Sequence, residues 1–280
     1  MGSFDGKVAF VTGAARGQGR SHAIEFARRG TRIIAIDIDQ QVPSAPYPTA
    51  TAEDLAETVR LVESLGGEIL AATVDVRDLA GLSKVVTNGV ERFGRLDFIL
   101  ANAGIVSYGL LSSMDEDQFQ EMMDINLTGV WKTVRAGVQH MVDAGNGGCI
   151  VLTSSTAGLR TMGNIGHYAA SKHGVVALAK AFANELGPHH IRVNSVHPSN
   201  TRTVMGVDND GVLNMFRPDL ENPTLEDCVD AFASIHVMPD VPWIHPIDIT
   251  NTVLFICSDE AKYMTGAQIP VDVGMLAKNP

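Results

Sequence analysis

Three side chains that could move a proton to or from an alcohol lie close together in this sequence. Tyr168 and Lys172 bracket the run Tyr168-Ala169-Ala170-Ser171-Lys172, and Ser155 stands thirteen residues earlier. On a helix, positions i and i+4 share one face, one turn apart. A free phenol titrates near ~10 and is a poor base at neutral pH, and lowering that value by about three units takes roughly 4 kcal/mol of preference for the phenolate. An ammonium at about 4 Å supplies on the order of 4 kcal/mol at an effective dielectric near 20. The spacing therefore predicts that Lys172 lowers the Tyr168 phenol, with the Ser155 hydroxyl as a partner for the substrate oxygen. With 4 tyrosines in 280 residues, such a pair also arises by chance, so its meaning depends on the elements around it.

A second group of residues could hold a dinucleotide. Thr12-Gly13-Ala14-Ala15-Arg16-Gly17-Gln18-Gly19 follows a short β-branched run and opens a helical pattern. Glycines at Gly13, Gly17 and Gly19 let backbone approach a pyrophosphate, and the unpaired N–H groups of a helix start favour the anion. Asp37 closes the next apolar run, where a carboxylate accepts from ribose hydroxyls and repels a 2′-phosphate, which points to NAD over NADP. Arg16 points the other way, since a base there could pair with that phosphate. Asn102-Ala103-Gly104, after the fourth run, is a small turn that would fit beside a flat nicotinamide ribose.

Apolar runs alternate with helical periodicity along the whole chain. Strands are expected at Lys7–Thr12, Arg32–Asp37, Glu68–Val74, Leu96–Ala101, Cys149–Ser154, Arg192–Val196 and Gln268–Val271. Helices are expected at Gln18–Gly30, Glu53–Leu65, Leu79–Phe93, Asp117–Ala144, Gly166–Leu186 and from Pro246 to about Cys257. This alternation predicts a single doubly wound α/β domain over residues 1–280: a seven-stranded, mostly parallel sheet covered by helices on both faces. Two segments exceed the usual connection length. One is an insertion at 38–51 containing Pro43, Pro46 and Pro48. The other, at about 199–245, has apolar residues (Met205, Met215, Phe216, Phe232, Met238, Trp243) that suggest a lid over an apolar substrate pocket.

Composition excludes other classes. A net charge of −11 opposes nucleic-acid binding, which needs a basic face. Cys149, Cys228 and Cys257 have no CxxC spacing and read as buried thiols of a reducing compartment. The nine histidines include no ligand spacing, so no metal is expected; His197 and His236 remain open as substrate contacts near the lid. No run approaches the ~20 apolar residues of a membrane span, and no signal-peptide core precedes Lys7. Met1-Gly2 begins like an acylation site, but Gly6 stands where Ser or Thr is wanted. The expected location is cytoplasmic.

Taken together these residues resemble the short-chain dehydrogenase/reductase family across nearly the whole chain. The match comprises the Thr12–Gly19 loop, Asp75-Val76 after the third strand, Asn102–Gly104, Asn126 in Asn-Leu-Thr-Gly, Ser155, Tyr168-x3-Lys172 and a Pro-x4-Thr turn at Pro198–Thr203. The family's Pro-Gly dipeptide reads Pro198-Ser199 here. The resemblance implies a Rossmann-type three-layer fold and Tyr168 as acid/base on the substrate oxygen. It implies that Lys172 lowers the Tyr168 pKa and bonds the nicotinamide ribose, that Ser155 steadies the substrate oxygen, and that Asn126 holds a water relay to Lys172. Asp75 and Val76 would contact adenine, and Thr203 the carboxamide. Ser154 is expected to face the core. An oxidised nicotinamide ring would add to the stabilisation of the phenolate. Family members are commonly tetramers packed through two long helices, here Asp117–Ala144 and Gly166–Leu186.

A narrower resemblance rests on Gly13–His22 and on Val42–Pro48 leading to Asp54-Leu55-Ala56-Glu57-Thr58. These are similar to the mycofactocin-associated branch, which includes carveol dehydrogenase. The branch implies tightly held NAD, with the peptide-derived redox carrier mycofactocin as electron acceptor. The expected activity is NAD-dependent interconversion of a secondary, hydrophobic alicyclic or terpenoid alcohol and its ketone. The insertion after Asp37 starts beside the adenosine and could cover it. The rival readings are an NADPH-dependent carbonyl reductase, a non-catalytic NAD-binding protein, and an epimerase or dehydratase on the same scaffold.

Overall fold

Seven strands form one sheet in the order β3-β2-β1-β4-β5-β6-β7, with every neighbouring pair parallel. They are β1 Val8–Thr12, β2 Arg32–Asp37, β3 Ile69–Thr73, β4 Phe98–Ala101, β5 Gly148–Thr153, β6 Ile191–Pro198 and β7 Gln268–Val271. The structure is a computed structural model describing residues 4–278, so Met1 and Gly2 lie outside the described residues. The chain builds outward from β1 through β2 to β3, then returns to lay β4 on the other side of β1. The order reverses between β1 and β4, and a crevice opens there at the carboxyl ends of the strands.

The sheet is buried on both faces, which is why its inner strands read as unbroken apolar runs rather than alternating ones. All five residues of β1 are buried. Successive residues point to opposite faces: Phe10 joins the cluster with Ile34, Ile36 and Ile150, whereas Ala9 and Val11 join Ile33, Leu100 and Val151. The first face is covered by α3 Leu79–Phe93, α5 Gly129–Ala144 and α6 Gly166–Leu186 through Val86, Val134 and Val175. The second is covered by α1 Gly17–Ala27, α2 Ala52–Ser64 and α9 Pro246–Cys257 through Phe26, Val62 and Val253. This is the doubly wound sheet the pattern predicts, in the three-layer, Rossmann-type arrangement the resemblance implies.

Local chemistry sets the helix ends. Thr51 and Asp54 form a reciprocal capping box at the start of α2. The Asp78 side chain accepts from the Gly81 N–H at the start of α3, and Gly94, at φ 83°, ends it in the left-handed region. The helix expected over 117–144 is interrupted. It runs as α4 Glu116–Met123, a π-helical turn at Asp124–Thr128, and then α5. Asn126 lies in that turn, and its side chain bonds the Ile105 backbone across the interior; such bulges favour functional positions.

His22 joins α1 to α9. Its Nδ1 bonds Thr250 Oγ1 at 2.8 Å, and burial lowers its pKa to about 3. The unfolded chain takes up this proton near pH 6.5 and the folded chain resists it, so stability is full above that pH and falls as the pH drops toward 3. His22 accounts for up to about 5 kcal/mol of that loss. His22→Asn, which keeps a hydrogen-bonding group at the Nδ1 position, should flatten denaturant-derived stability between pH 6 and 4 relative to wild type. Parallel pH curves for the two proteins would contradict this.

Candidate active site

The carboxyl end of β5 assembles the residues that the sequence suggested for proton transfer. Lys172 lies on α6, fully buried, with its Nζ donating to the Thr153 carbonyl at 2.9 Å. Ser154 faces inward, as expected, and its Oγ donates to the Lys172 carbonyl at 2.9 Å. Thr153, the last residue of β5, and Ser154, which follows it, thus hold the head and the backbone of Lys172. Ser155 faces the opposite way: its Oγ accepts the Ala157 N–H at 3.1 Å and is hydrogen-bonded to the Tyr168 phenol. Asn126 turns its amide onto Ile105, with Oδ1 accepting and Nδ2 donating, each at 2.8 Å. Gly104 closes the group, because a Cβ there would lie 3.1 Å from Asn126 Oδ1 and 3.4 Å from Lys172 Nζ. Ser155, Tyr168 and Lys172, grouped by their spacing, and Asn126, added by the resemblance, therefore converge.

The electrostatics differ from the expectation. Burial raises the Tyr168 phenol above its ordinary value, with the Ser155 hydrogen bond opposing, and burial lowers Lys172 to about 8. The Lys172 Nζ stands 5.6 Å from the Tyr168 ring centre and is turned to Thr153. Desolvation of both groups outweighs their attraction. In the protein alone Tyr168 is thus a neutral phenol at pH 7, poised to give a proton rather than to take one.

The loop Gly13–Gly19 forms a cradle that side chains would fill. Gly13 and Gly17 hold φ of +67° and +56°, and a Cβ on Gly19 would overlap the Gly13 carbonyl oxygen. Asp37 is pinned at the end of β2, its two carboxylate oxygens accepting the Ala15 and Ile38 N–H groups, each at 2.8 Å. Gln18 Oε1 is buried without a partner at the start of α1 and lines the same cavity. Thr12 Oγ1 accepts the Asn102 and Ala103 N–H groups, each at 3.1 Å, joining β1 to β4 where the strand order reverses. These features fit a dinucleotide: the cradle would take its pyrophosphate, Asp37 its ribose hydroxyls, and the Asn102–Gly104 turn its nicotinamide half. Asp75 and Val76 also line the cavity, but Arg77 and Gln40 already donate to the Asp75 carboxylate. Thr203 lines it too, its Oγ1 accepting the Gly206 N–H. Arg16, the residue that suggested a 2′-phosphate, donates to the Pro48 carbonyl.

The cavity measures about 600 Å³ and continues past Tyr168 beneath residues 199–245. Within that segment, α7 Asp210–Phe216 and α8 Leu225–Ser234 enclose a small core of Val207, Leu213 and Phe232, against which Trp243 packs. Met205, Met215 and Phe216 reach the cavity wall, whereas Met238 is exposed. Ser199, where the family pattern has glycine, does not adopt positive φ, so serine fits without strain. Residues 38–51 fold inward, burying Val42, Ala45 and Tyr47.

Spacing could not reveal what His197 and Tyr47 touch. His197 lies outside the cavity wall. Its Nδ1 meets the Ser155 carbonyl at 2.8 Å and its Nε2 meets Ser195 Oγ at 2.8 Å. A carbonyl only accepts, so Nδ1 carries the proton and the ring holds the Ser155 backbone. His236 bonds the Val241 carbonyl. Tyr47, from the insertion, accepts the Val106 N–H. Among the described residues no three His, Cys, Asp or Glu side chains are grouped as a metal ion requires, and no helix is long and apolar enough to cross a membrane. All three cysteines are buried and free.

Residues 7–211 match the short chain dehydrogenase family model. The chain is 47% identical to (-)-trans-carveol dehydrogenase from Rhodococcus erythropolis over 279 residues, covering 99% of this chain and 100% of that protein. It resembles the crystal structure of carveol dehydrogenase from Mycobacterium avium in complex with NAD, with a TM-score of 0.97 and 52% identity over 99% of this chain and 100% of that one. It also resembles a short chain dehydrogenase from Mycobacterium paratuberculosis bound to NAD, with a TM-score of 0.89 and 45% identity over 99% and 100% of the two chains.

The low pKa of Lys172 has a measurable consequence. Its folded value of about 8 lies below the unfolded 10.5, so the unfolded chain binds more protons between those values and stability rises with pH across that window. The unfolding free energy of wild type relative to Lys172→Met should therefore improve by up to about 3 kcal/mol between pH 7.5 and 10.5. A difference that stays constant over that range would mean that Lys172 keeps an ordinary pKa.

Proposed function

The chain belongs to the short-chain dehydrogenase/reductase family and is an NAD-dependent dehydrogenase acting on alcohols; we propose that its substrate is a secondary, hydrophobic alicyclic or terpenoid alcohol, which it interconverts with the ketone. The observation that carries this reading is the cavity that runs unbroken from the Gly13–Gly19 cradle, past the Tyr168 phenol, to Met205, Met215 and Phe216. A site with an apolar wall and few polar groups orients a substrate by the one oxygen it can bond.

NAD, when bound, would supply a positively charged ring able to take the hydride from the carbinol carbon. Gly13, Arg16, Gly17, Gln18, Gly19 and Asp37 hold the adenosine and pyrophosphate end in this reading, with Asp75 and Val76 beside the adenine. Asn102, Ala103, Gly104, Lys172 and Thr203 hold the nicotinamide end. Tyr168 exchanges the proton of the substrate oxygen, and Ser155 bonds that same oxygen as its charge changes. Lys172, one helical turn from Tyr168, favours phenolate when its own protons are turned from Thr153 toward the site. Asn126 keeps the floor beneath Lys172 in place and leads a water chain to it. Residues 199–245 close over the alcohol as a lid, within the single domain that the sequence pattern suggests.

The narrower resemblance supports a further assignment. Residues 38–51 slow the escape of NAD, and the electrons pass to mycofactocin rather than to free NAD. The protein works in the cytoplasm as a homotetramer packed through α4–α5 and α6, where Phe119 and Trp131 are partly exposed. A carbonyl reductase driven by NADPH is the alternative, and the nucleotide released on denaturing purified protein separates the two. NAD is expected, and NADP would overturn the cofactor assignment. Protein that carries no NAD after extensive dialysis would remove the tight-binding proposal. Activity with an artificial dye but not with free NAD would support it.

Tyr168→Phe should reduce alcohol oxidation by at least about a thousandfold, in the range of lost acid–base catalysis, while NAD binding followed by fluorescence titration stays near wild type. Because Tyr168 starts as a neutral phenol, wild-type oxidation should rise with pH and ketone reduction should fall. Near-normal turnover by the variant, or oxidation that falls as pH rises, would sink the assignment.

A further inference from the structure

We propose that Tyr47, carried by the insertion after β2, is a positioning residue of the hydride-transfer site, and that the insertion serves to place it. The proposal deepens the dehydrogenase reading and rests on it. Residues 38–51 are organised around an inward-pointing phenol. The Gln41 side-chain amide donates to the carbonyls of Val42, Ala45 and Tyr47, and its oxygen accepts the Thr49 N–H. The Thr49 hydroxyl closes the loop onto the Gln40 carbonyl. From outside, Ser44 N–H donates to Glu121 on α4, and Arg16 donates to the Pro48 carbonyl. A loop that only covered the surface would not need this internal frame, nor would it bury its aromatic residue to 6% exposure.

What the phenol touches gives the frame its purpose. The Val106 N–H donates to Tyr47 Oη at 2.9 Å, a bond between residues 59 positions apart in a buried setting. Val106 follows Ile105, whose N–H and carbonyl are both taken by the Asn126 amide. Ile105 follows Gly104, which lies close against Asn126 Oδ1 and Lys172 Nζ. The segment Gly104–Val106 leaves β4 without strand partners of its own, so its buried backbone groups are satisfied by side chains from two directions. Asn126 holds it from the π-helical turn and Tyr47 holds it from the insertion. Tyr47 also lines the same cavity as Tyr168. Without Oη, the Val106 N–H is left buried and unpaired, a state that drives local rearrangement. The segment that would shift is the one against which Lys172 and Asn126 are set.

The test uses full-length protein, with Tyr47→Phe removing only Oη and Gln41→Ala loosening the frame while leaving the phenol present. Hydrogen–deuterium exchange without added substrate should speed up in Tyr47→Phe in peptides covering 103–110 and 122–130, with little change in global melting. For an alcohol that wild type oxidises with an artificial electron acceptor, kcat should fall about tenfold, the NAD content of the purified protein should hold, and the primary isotope effect with carbinol-deuterated substrate should rise as hydride transfer becomes slower. Gln41→Ala should give a smaller fall of the same kind. Faster exchange confined to 38–51, or unchanged kcat and isotope effect in Tyr47→Phe, overturns the proposal. If wild type oxidises no alcohol, the dehydrogenase reading fails, and the exchange pattern alone still decides whether Tyr47 orders Gly104–Val106.

Discussion

Burying the Lys172 ammonium against the end of β5 is the constraint on which the rest of the site depends. A charge taken out of water needs compensation, and the polar partner found for it is the Thr153 carbonyl. That bond, with Ser154 reaching back to the Lys172 carbonyl, docks α6 in one register on the sheet. Because Tyr168 is one turn earlier on the same helix, the docking also places the phenol beside Ser155. The deep burial leaves a neutral phenol and a lysine pushed down to about 8, so the protein by itself prepares an acid. The positive ring of NAD, once bound, would be the added charge that favours phenolate.

The cofactor cradle arises from a different physical cause. Reversal of strand order between β1 and β4 leaves a crevice, and glycine at positions 13, 17 and 19 keeps it free of side chains. Asp37 supplies negative charge, held by two backbone N–H groups. Cradle and proton site are fixed independently, and they meet at Asn102–Val106. That short segment is also where Asn126 and Tyr47 both attach.

Elements with strong periodicity were legible in the sequence. The limits of α3, α6 and β7 coincide with those read from the pattern, since apolar spacing and glycine stops act locally. The grouping of Ser155, Tyr168 and Lys172 was legible because its spacing follows from one helix and one strand end, whereas Asn126 entered only through the family resemblance. The π-helical turn was not, because it depends on Asn126 bonding Ile105, a contact between distant residues. The inward fold of residues 38–51 was equally hidden: the sequence suggested a cover over the adenosine, and the bonds that turn the segment in, Tyr47–Val106 and Ser44–Glu121, join residues far apart in the chain. His197 read as a free histidine near a lid, whereas its ring spans Ser195 and Ser155 beneath the site. The effect of Lys172 on Tyr168 was misjudged because attraction across about 4 Å was weighed without the desolvation of both groups.

Transfer of one hydride from carbon to nicotinamide, coupled to the Tyr168 proton, is the central claim. Its most direct measurement supplies the NAD-loaded protein with a cyclic secondary alcohol deuterated at the carbinol carbon and examines the nucleotide by mass spectrometry. The expected result is reduced nicotinamide carrying one deuterium for each ketone formed. Ketone formed without deuterium in the nucleotide, or no reduction of bound NAD by any secondary alcohol, would contradict it.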